Sequence, residues 1–418
     1  MKLEEVLSSL GESATIEEVR PQWEESMGVL PAKRPFFLTP REIDRLSEYC
    51  GLPADVRPAL DATAERIAAD PALLRLAWHG YRRLYWAPQS SFTKWPSLGT
   101  SLGENCGVFY LLLALGVVPA MRAFHRSAGI PDSVTRETCV QVRCMSENYA
   151  HGSNGRLGIY RRQLGWLRQY TGKFVYVRLG RLEYALHSFG GGAEVYRHRQ
   201  TGRVMALAEE GQRFDAEGYM PAAAAPDVPA GWTATLRSDA DAVTGHPICP
   251  GGHALRDRAT LPAAEWQRVL AKGDFVLNMH IPAGGGLTPE ACEESLKSAA
   301  AFFRKHFPET APAAVVCRSW MFSNLLEHCL PPEANLVRFL RELYLFPTPN
   351  SATAALWFIF LQDDFDPATA PRDTSLRRAV LDFLAQGHPW RDGGMFILMD
   401  DIPRYGTQQY RHDWPAPR

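Results

Sequence analysis

The sequence has little of what marks a metalloprotein, a disulfide-linked protein or a nucleic-acid binder. Its eight cysteines are spread over 418 residues without a CxxC pair, and a disulfide framework is not expected in so long a chain. We therefore predict no metal site. Lys plus Arg number 45 against 46 for Asp plus Glu. The formal net charge of -1 gives no reason to expect nucleic acid as a partner.

Long apolar runs are also missing. The longest, Val108–Met121, contains a Gly and a Pro and is shorter than the roughly 20 residues that a membrane-spanning helix needs. The first residues include Glu4 and Glu5 and do not resemble a secretory signal. The composition, 46% hydrophobic and 22% charged, is that of a globular protein. We expect a cytoplasmic protein with no membrane partner, and the sequence leaves its oligomeric state open.

The residue pattern changes once along the chain and predicts two domains. Residues 1–170 have helical periodicity, with predicted helices that include Asp132–Tyr149 and a buried one at Glu104–Leu115. From Phe174 onward, alternation of period two predicts strands. The fold class is therefore α+β, with a helical domain over 1–170 and a mixed, mainly antiparallel sheet flanked by helices over 171–418. The strand predictions cover Phe174–Leu186, Ala193–His198 with Arg203–Ala208 as a hairpin, Ala313–Cys317, Leu336–Phe346, Ala354–Leu361 and Met395–Met399, with a low-complexity bridge at Pro221–Pro229.

One stretch in the second domain has a functional signature. The apolar run Phe275–Ile281 predicts a buried strand, and Gly284, Gly285 and Gly286 follow it. Thr288 and Pro289 then suit the cap and first position of an amphipathic helix that ends near His306. A strand, a glycine loop and a helix N-terminus in this order present several backbone N–H groups to an anion.

The order of these elements resembles the GNAT superfamily of N-acyltransferases. In that fold, antiparallel strands precede a central strand, a glycine-containing pyrophosphate loop, a long helix, a parallel strand, a shorter helix and further antiparallel strands. More narrowly, nearly the whole chain resembles a bacterial two-domain family with a helical N-acyltransferase N-terminal domain and a GNAT-like C-terminal domain. The stretches that carry this resemblance are Arg122–Arg126, Gln163–Leu167, Tyr196–Arg203, Thr244–Ile248, His280–Gly285 and Ala370–Arg377.

The resemblance implies an acyltransferase and assigns roles to residues. Acetyl-CoA or another acyl-CoA is the implied cosubstrate, with an acyl carrier protein thioester as the second choice of donor and the amine of a small molecule as acceptor. The implied pyrophosphate loop is Ala283, Gly284, Gly285, Gly286, Leu287 and Thr288.

The same resemblance points to catalytic candidates around the central strand. His280 would relay a proton, Glu183 would act as base, and Tyr344 would protonate the leaving thiolate. Ser319 and Asn324 would lie near the pantetheine and the leaving sulfur. Each has a structural alternative: His280 could order the loop, Ser319 could cap a helix, and Glu183 and Tyr344 could be an ordinary strand carboxylate and a core aromatic.

Two features of the sequence keep other functions open. Glu290, Glu293 and Glu294 follow the loop, and no Lys or Arg lies between Lys272 and Lys297, which favours a GNAT-shaped ligand- or partner-binding protein without catalysis. Separately, Cys106 begins an apolar helix, where the helix dipole would favour its thiolate. A cysteine hydrolase or transferase would then take its base from His79, His125 or His151.

Overall fold

In the computed structural model the chain divides into two units. The first comprises Met1–Leu179 with Ile281–Gly285, and the second comprises Gly180–His280 with Gly286–Arg418. The structure describes residues 1–86, 91–172, 175–222, 230–349, 352–362 and 365–414. Phe174, at the start of a predicted strand, and the predicted bridge from residue 223 to Pro229 lie outside these residues.

The first unit is helical, as its sequence periodicity predicts. Helix α8 is apolar on all sides and is buried along nearly its whole length, whereas α6 begins at Pro71 with the Asp70 carboxylate accepting the N–H groups of Ala72 and Leu73. The elements are α1 Leu3–Ser9, α2 Ile16–Val19, α3 Trp23–Gly28, α4 Pro40–Tyr49, α5 Arg57–Ala69, α6 Pro71–Tyr85, α7 Gly99–Leu102, α8 Cys106–Leu115, α9 Val117–Ser127, α10 Asp132–Cys139, α11 Gln141–Gly152, α12 Arg161–Leu164 and strand β1 Tyr176–Leu179, with 3₁₀ turns at Ser13–Thr15, Phe36–Leu38, Ala54–Val56, Gly103–Asn105 and Gly165–Tyr170.

One apolar stretch of this unit, Gly99–Ser127, is long and apolar enough to cross a membrane by length and composition. Of its most apolar part, 72% is buried inside the protein, as expected of helices in the core of a packed bundle.

The second unit contains most of the strands. Its elements are β2 Leu182–Ser188, β3 Glu194–His198, β4 Val204–Leu207, β5 Arg213–Phe214, β6 Trp232–Thr233, β7 Arg237–Ser238, β8 Ala242–Gly245, β9 Pro247–Cys249, β10 His253–Ala254, β11 Ala259–Pro262, β12 Trp266–Leu270, β13 Phe275–His280, α13 Pro289–His306, β14 Ala314–Ser319, α14 Leu326–Cys329, α15 Asn335–Arg341, β15 Tyr344–Pro347, α16 Ala352–Phe360, α17 Ser375–Ala385, β16 Gly393–Leu398 and α18 Gln409–His412, with 3₁₀ turns at Trp320–Phe322 and Met399–Arg404.

The main sheet of this unit has the strand order β2-β13-β14-β16-β15. Only the β13–β14 pair is parallel, and the other neighbours are antiparallel. A second antiparallel sheet has the order β10-β9-β4-β3-β12, and its β3–β4 hairpin confirms the predicted one. The predicted α+β class, with a mixed and mainly antiparallel sheet, is therefore confirmed.

The two faces of the main sheet are covered by different layers. Ser295 of α13 lies under the sheet, where its hydroxyl is 3.0 Å from the Tyr184 hydroxyl and accepts the Leu182 N–H at 3.1 Å. On the opposite face, the Tyr344 hydroxyl donates to the Ile248 carbonyl of the second sheet. A side chain of the main sheet can therefore be assigned to the helix face or to the face on the side of the second sheet.

Several predicted elements were wrong in type or extent. Predicted strand Leu336–Phe346 is helix α15 followed by β15, because Val337 and Leu340 recur at helical spacing on a buried face. Predicted strand Ala354–Leu361 is helix α16, since a continuous apolar run does not distinguish a strand from a buried helix.

Two further predictions placed one element where the structure has two. Phe174–Leu186 contains β1 and β2 with a turn at Gly180, whose φ of 68° is readily adopted only by glycine. The predicted helix Asp132–Tyr149 is broken at Val140 into α10 and α11.

Candidate active site

The two edges of strand β14 are paired to different lengths. On one edge, all six residues from Ala314 to Ser319 have register partners on β16. On the other edge, only Val276–Asn278 pair with Ala314–Val316, although β13 continues to His280 and β14 to Ser319. Since β13 stays paired with β2 as far as His280, the two parallel strands separate at their carboxyl ends. The sheet therefore opens directly before the glycine loop.

Two of the predicted catalytic residues are neighbours at this opening. Glu183 of β2 and His280 of β13 are direct register partners, so their Cβ atoms are expected about 5 Å apart. Tyr184 points to α13, so Glu183 and its partner His280 lie on the opposite face of the sheet. Glu183 is fully buried and His280 is half-buried. A buried carboxylate beside an imidazole can hold the ring in one orientation and stabilise its protonated form.

The predicted loop and helix follow β13. Gly284 and Gly285 have φ values of 79° and 64°, a conformation that glycine adopts without strain, and both are exposed. The Thr288 hydroxyl accepts the Ala291 N–H at 3.3 Å and Pro289 takes the first helical position, so the predicted start of α13 is confirmed. Within the first unit, a Cβ atom on Gly284 would lie 3.6 Å from the Glu147 carboxylate.

A positive charge reaches the loop from a distant part of the sequence. Arg181 Nε donates to the Gly286 carbonyl at 3.2 Å. Burial raises the pKa of the Cys292 thiol, in the first turns of α13, to about 11, and the charge of Arg181 opposes part of this rise. The Asn335 side-chain amide would lie 3.8 Å from a Cβ atom on Gly286. Sequence reasoning missed both residues because it searched only near the loop and placed Arg181 inside a continuous strand.

Three other predicted site residues have structural roles. The Ser319 hydroxyl accepts the Met321 N–H at 3.3 Å and caps a 3₁₀ turn, and the Asn324 amide donates to Tyr219 Oη and the Gly251 carbonyl, both at 2.9 Å. Tyr344 is fully buried, and its hydroxyl also accepts the Ala206 N–H at 3.1 Å. Burial raises the pKa of Tyr344 far above its usual value. These contacts favour the cap and core interpretations over catalytic ones.

Arg318 adds a cation to the face that carries His280. Val316 is the register partner of Asn278, so Arg318, two residues further along β14, points to the same face as Asn278 and His280. Its Nη2 donates to the Gly191 carbonyl, and its guanidinium lies 5.9 Å from the centre of the Phe346 ring. Burial lowers the pKa of Arg318, and Glu209 partly opposes this.

Comparison with known families decides what kind of protein this is. Residues 41–172 match the N-acyltransferase N-terminal domain, and residues 176–396 match the GNAT-like C-terminal domain. The chain belongs to this two-domain N-acyltransferase family. The family predicted from the sequence and its enzyme class are therefore confirmed.

Solved structures of acyltransferases share the fold of this family member. One in complex with decanoyl-CoA and teicoplanin is 22% identical, with a TM-score of 0.61 over 96% of this chain and 100% of that chain. One in complex with CoA and 10C-teicoplanin is 21% identical, with a TM-score of 0.62 over the same shares. A mutant acyltransferase with octanoyl-CoA is 22% identical, with a TM-score of 0.61 over 95% and 99%. Comparison with curated proteins gave no match.

The cysteine alternative requires His79, His125 or His151 to lie beside Cys106. Cys106 is half-buried, and its sulfur lies 4.0 Å from Tyr149 Oη. His79 bonds Ser26 Oγ and the Val19 carbonyl, both at 2.8 Å, and His125 bonds Thr135 Oγ1 at 3.0 Å. Within the described part of the chain, Cys106 forms no hydrogen bond to a histidine. The same residues contain no cluster of His, Cys, Asp and Glu that could hold a metal ion.

Proposed function

We propose that this N-acyltransferase family member transfers an acyl group from acyl-CoA to the amine of a small acceptor. The observation that carries the proposal is the separation of β13 and β14 beyond Asn278 and Val316. A gap between parallel strands accepts an extended amide chain in the way a sheet accepts another strand. The pantetheine arm of CoA is such a chain, and the gap ends where the loop and the N-terminus of α13 begin.

The pyrophosphate would bind at the start of α13. The backbone from Gly286 to Thr288 and the helix dipole favour an anion there, and Arg181 adds a full positive charge beside Gly286. The Asn335 amide is a further donor near the same glycine. Because Arg181 lies outside the loop sequence, the lack of Lys or Arg from residue 273 to 296 does not argue against CoA.

The relatives favour a particular donor and acceptor to test first. Solved acyltransferases with this fold hold decanoyl-CoA and octanoyl-CoA, which favours a medium-length acyl chain for this protein. Two of them hold teicoplanin or 10C-teicoplanin, so an amine on a molecule of that kind is the proposed acceptor class.

The Glu183–His280 pair supplies the proton chemistry. The acceptor amine attacks the thioester carbonyl carbon, a C–N bond forms, and the carbonyl electrons move to oxygen. His280 takes the proton that the amine nitrogen loses, while the buried Glu183 carboxylate stabilises the imidazolium. Collapse of the intermediate breaks the C–S bond and gives the N-acyl product and CoA thiolate. The thiolate then takes up a proton to give CoA.

Titration calorimetry with octanoyl-CoA, decanoyl-CoA, acetyl-CoA and CoA tests the donor. We expect saturable binding with medium-chain acyl-CoA bound most tightly. Arg181→Met should weaken binding about tenfold or more, because hydrogen bonds to charged groups contribute about 1.5–3 kcal/mol. Arg304→Met, at the exposed C-terminal end of α13, is the control and should bind as wild type does. The proposal fails if no CoA species binds at millimolar concentration.

One observation favours a second function, a GNAT-shaped binding protein without catalysis. Glu290 stands in the first turn of α13, and Glu293 and Glu294 follow it. Negative charges at these places oppose a phosphate. Failure of every CoA species in the calorimetric test, with the fold intact, would select this function.

A further inference from the structure

Two arginines of the helical unit lie on elements that pack together, and among the described residues no carboxylate is bound to either. Arg83 is in the last turn of α6 and exposes 9% of its surface. Arg168 is half-buried in the 3₁₀ turn Gly165–Tyr170 that packs on α6. Among the described residues, neither arginine forms an ion pair. Two guanidinium groups are thus partly shielded from water where α6 and this 3₁₀ turn pack together.

Their hydrogen bonds are few and long. Arg83 Nη1 donates to the Pro21 carbonyl at 3.3 Å and to Gln22 Oε1 at 3.5 Å. Arg168 Nε donates to the Gly165 carbonyl at 3.3 Å. Two buried donors, Arg83 Nε and Arg168 Nη1, have no partner among the described residues. Buried charged donors without acceptors are unusual in proteins, and they call for an explanation.

The positive charges of Arg83 and Arg168 are not neutralised by a bound carboxylate among the described residues. Burial lowers the pKa of Arg83, the charge of Arg168 lowers it further, and Glu18 only partly compensates. Burial also lowers the pKa of Arg168. Two like charges held together at reduced solvent exposure are destabilising unless a counter-charge accepts their N–H groups. Among the described residues Glu18 forms no ion pair or hydrogen bond with Arg83, so it does not satisfy the unpartnered donors.

We propose that Arg83 and Arg168 form an anion site in the N-terminal helical domain that binds an oxyanion, such as a phosphate or a carboxylate. Each guanidinium offers donors in a fixed fork that matches the oxygen atoms of these groups. The main-chain carbonyls of Pro21 and Gly165 hold the two side chains in place before the ligand arrives. This inference does not depend on acyl transfer.

Calorimetric titration with inorganic phosphate, acetate and chloride at constant ionic strength tests the site. We expect saturable binding of phosphate or acetate and none of chloride. Arg83→Met and Arg168→Met retain the apolar stem, and each should weaken oxyanion binding at least tenfold. Arg82→Met is the matched control, since Arg82 lies next to Arg83 on α6 but points to Trp86 at 5.1 Å, and it should bind as wild type does.

The outcomes separate the site from general effects of charge. If Arg83→Met fails to fold, Arg168→Met still decides the question, because Arg168 is half-exposed and its loss leaves α6 intact. The proposal would be overturned if no anion gave saturable binding. It would also be overturned if wild type and Arg168→Met bound phosphate and acetate equally well. Octanoyl-CoA titrations of the same variants report independently on the acyltransferase site, so failure of one proposal does not imply failure of the other.

Discussion

Strand β14 has one closed edge and one open edge, and the residues beside them differ accordingly. On the closed edge, β16 pairs with β14 over its whole length, and beyond it Tyr344 of β15 is fully buried with its hydroxyl bonded to two main-chain groups. On the open edge, β13 separates from β14, and Glu183 and His280 lie side by side. On the closed side the Tyr344 hydroxyl is bonded to the main chain, whereas on the open side Glu183 and His280 are the residues to which the proposed function assigns proton transfer.

Removing the imidazole on the open edge should have the largest effect. His280→Asn should lower kcat for octanoyl transfer to teicoplanin by about 10²–10⁴, the usual contribution of a positioned acid or base. Thiol release from octanoyl-CoA measures the rate. His187→Asn, on the same face near the other end of the sheet, is the control and should keep full activity.

The partner carboxylate can be tested in the same assay. Glu183→Gln should reduce kcat less than His280→Asn does and should change the pH dependence of the rate, because the proposed mechanism gives Glu183 the role of stabilising the charged imidazole. A variant with normal kcat at every pH would show that Glu183 has only a structural role.

Stability should respond differently to a methyl group on a glycine of the closed edge and on a glycine of the loop that follows the open edge. A Cβ atom on Gly393, opposite Ser319 on the closed edge, would lie 2.0 Å from the Phe322 carbonyl oxygen, whereas one on Gly286 would have its nearest neighbours at 3.8 Å. Gly393→Ala should therefore destabilise the fold by about 3 kcal/mol or more. Gly286→Ala should change stability little and weaken octanoyl-CoA binding.

Urea unfolding and calorimetry on the two glycine variants provide the comparison. If Gly393→Ala is as stable as wild type, the closed edge is less tightly packed than the structure shows. If Gly286→Ala binds octanoyl-CoA normally, the loop is only a turn.

A buried histidine of the helical unit contrasts with His280 on the open edge. His79 is fully buried and bonded to Ser26 and Val19, and burial lowers its pKa to about 4. The folded state then binds fewer protons than the unfolded state, whose histidine pKa is about 6.5. Stability from this group is present above pH 6.5 and falls as the pH decreases toward 4, by about 2 kcal/mol at pH 5.

Calorimetric unfolding between pH 7.5 and 5 checks this expectation. His79→Phe should be less stable at pH 7.5, because it loses two hydrogen bonds, but it should depend less on pH than wild type does. Equal pH dependence of the two proteins would mean that His79 is protonated in the folded state.

Local patterns predicted the start of the site but not its geometry. The Thr288–Pro289 signal and the helical spacing after it located α13 correctly, because caps and periodicity depend on neighbouring residues. Glu183 and His280 were each proposed from the sequence, but their adjacency depends on the register between strands almost 100 residues apart. Arg181 was missed because a turn at Gly180, within an alternating run, directs it to the loop.

Tyr344 shows why sequence composition alone does not assign a role to a residue. A tyrosine in an apolar strand next to a site could be a general acid or a core residue. Only its contacts distinguish the two roles. Its ring stacks on Phe396 at 4.6 Å, and its hydroxyl is engaged by Ala206 and Ile248. The hydroxyl that catalysis would need is thus already hydrogen-bonded to two main-chain groups.

Tyr344→Phe tests this assignment with the smallest expected effect. The variant keeps the ring but leaves the Ala206 N–H and the Ile248 carbonyl without their partner, which should cost about 1–3 kcal/mol of stability. The rate of octanoyl transfer should stay within twofold of wild type, because the hydroxyl faces the second sheet and not the gap between β13 and β14. A tenfold or larger loss of kcat, with normal octanoyl-CoA binding, would return Tyr344 to the catalytic site and place a proton donor on the closed edge.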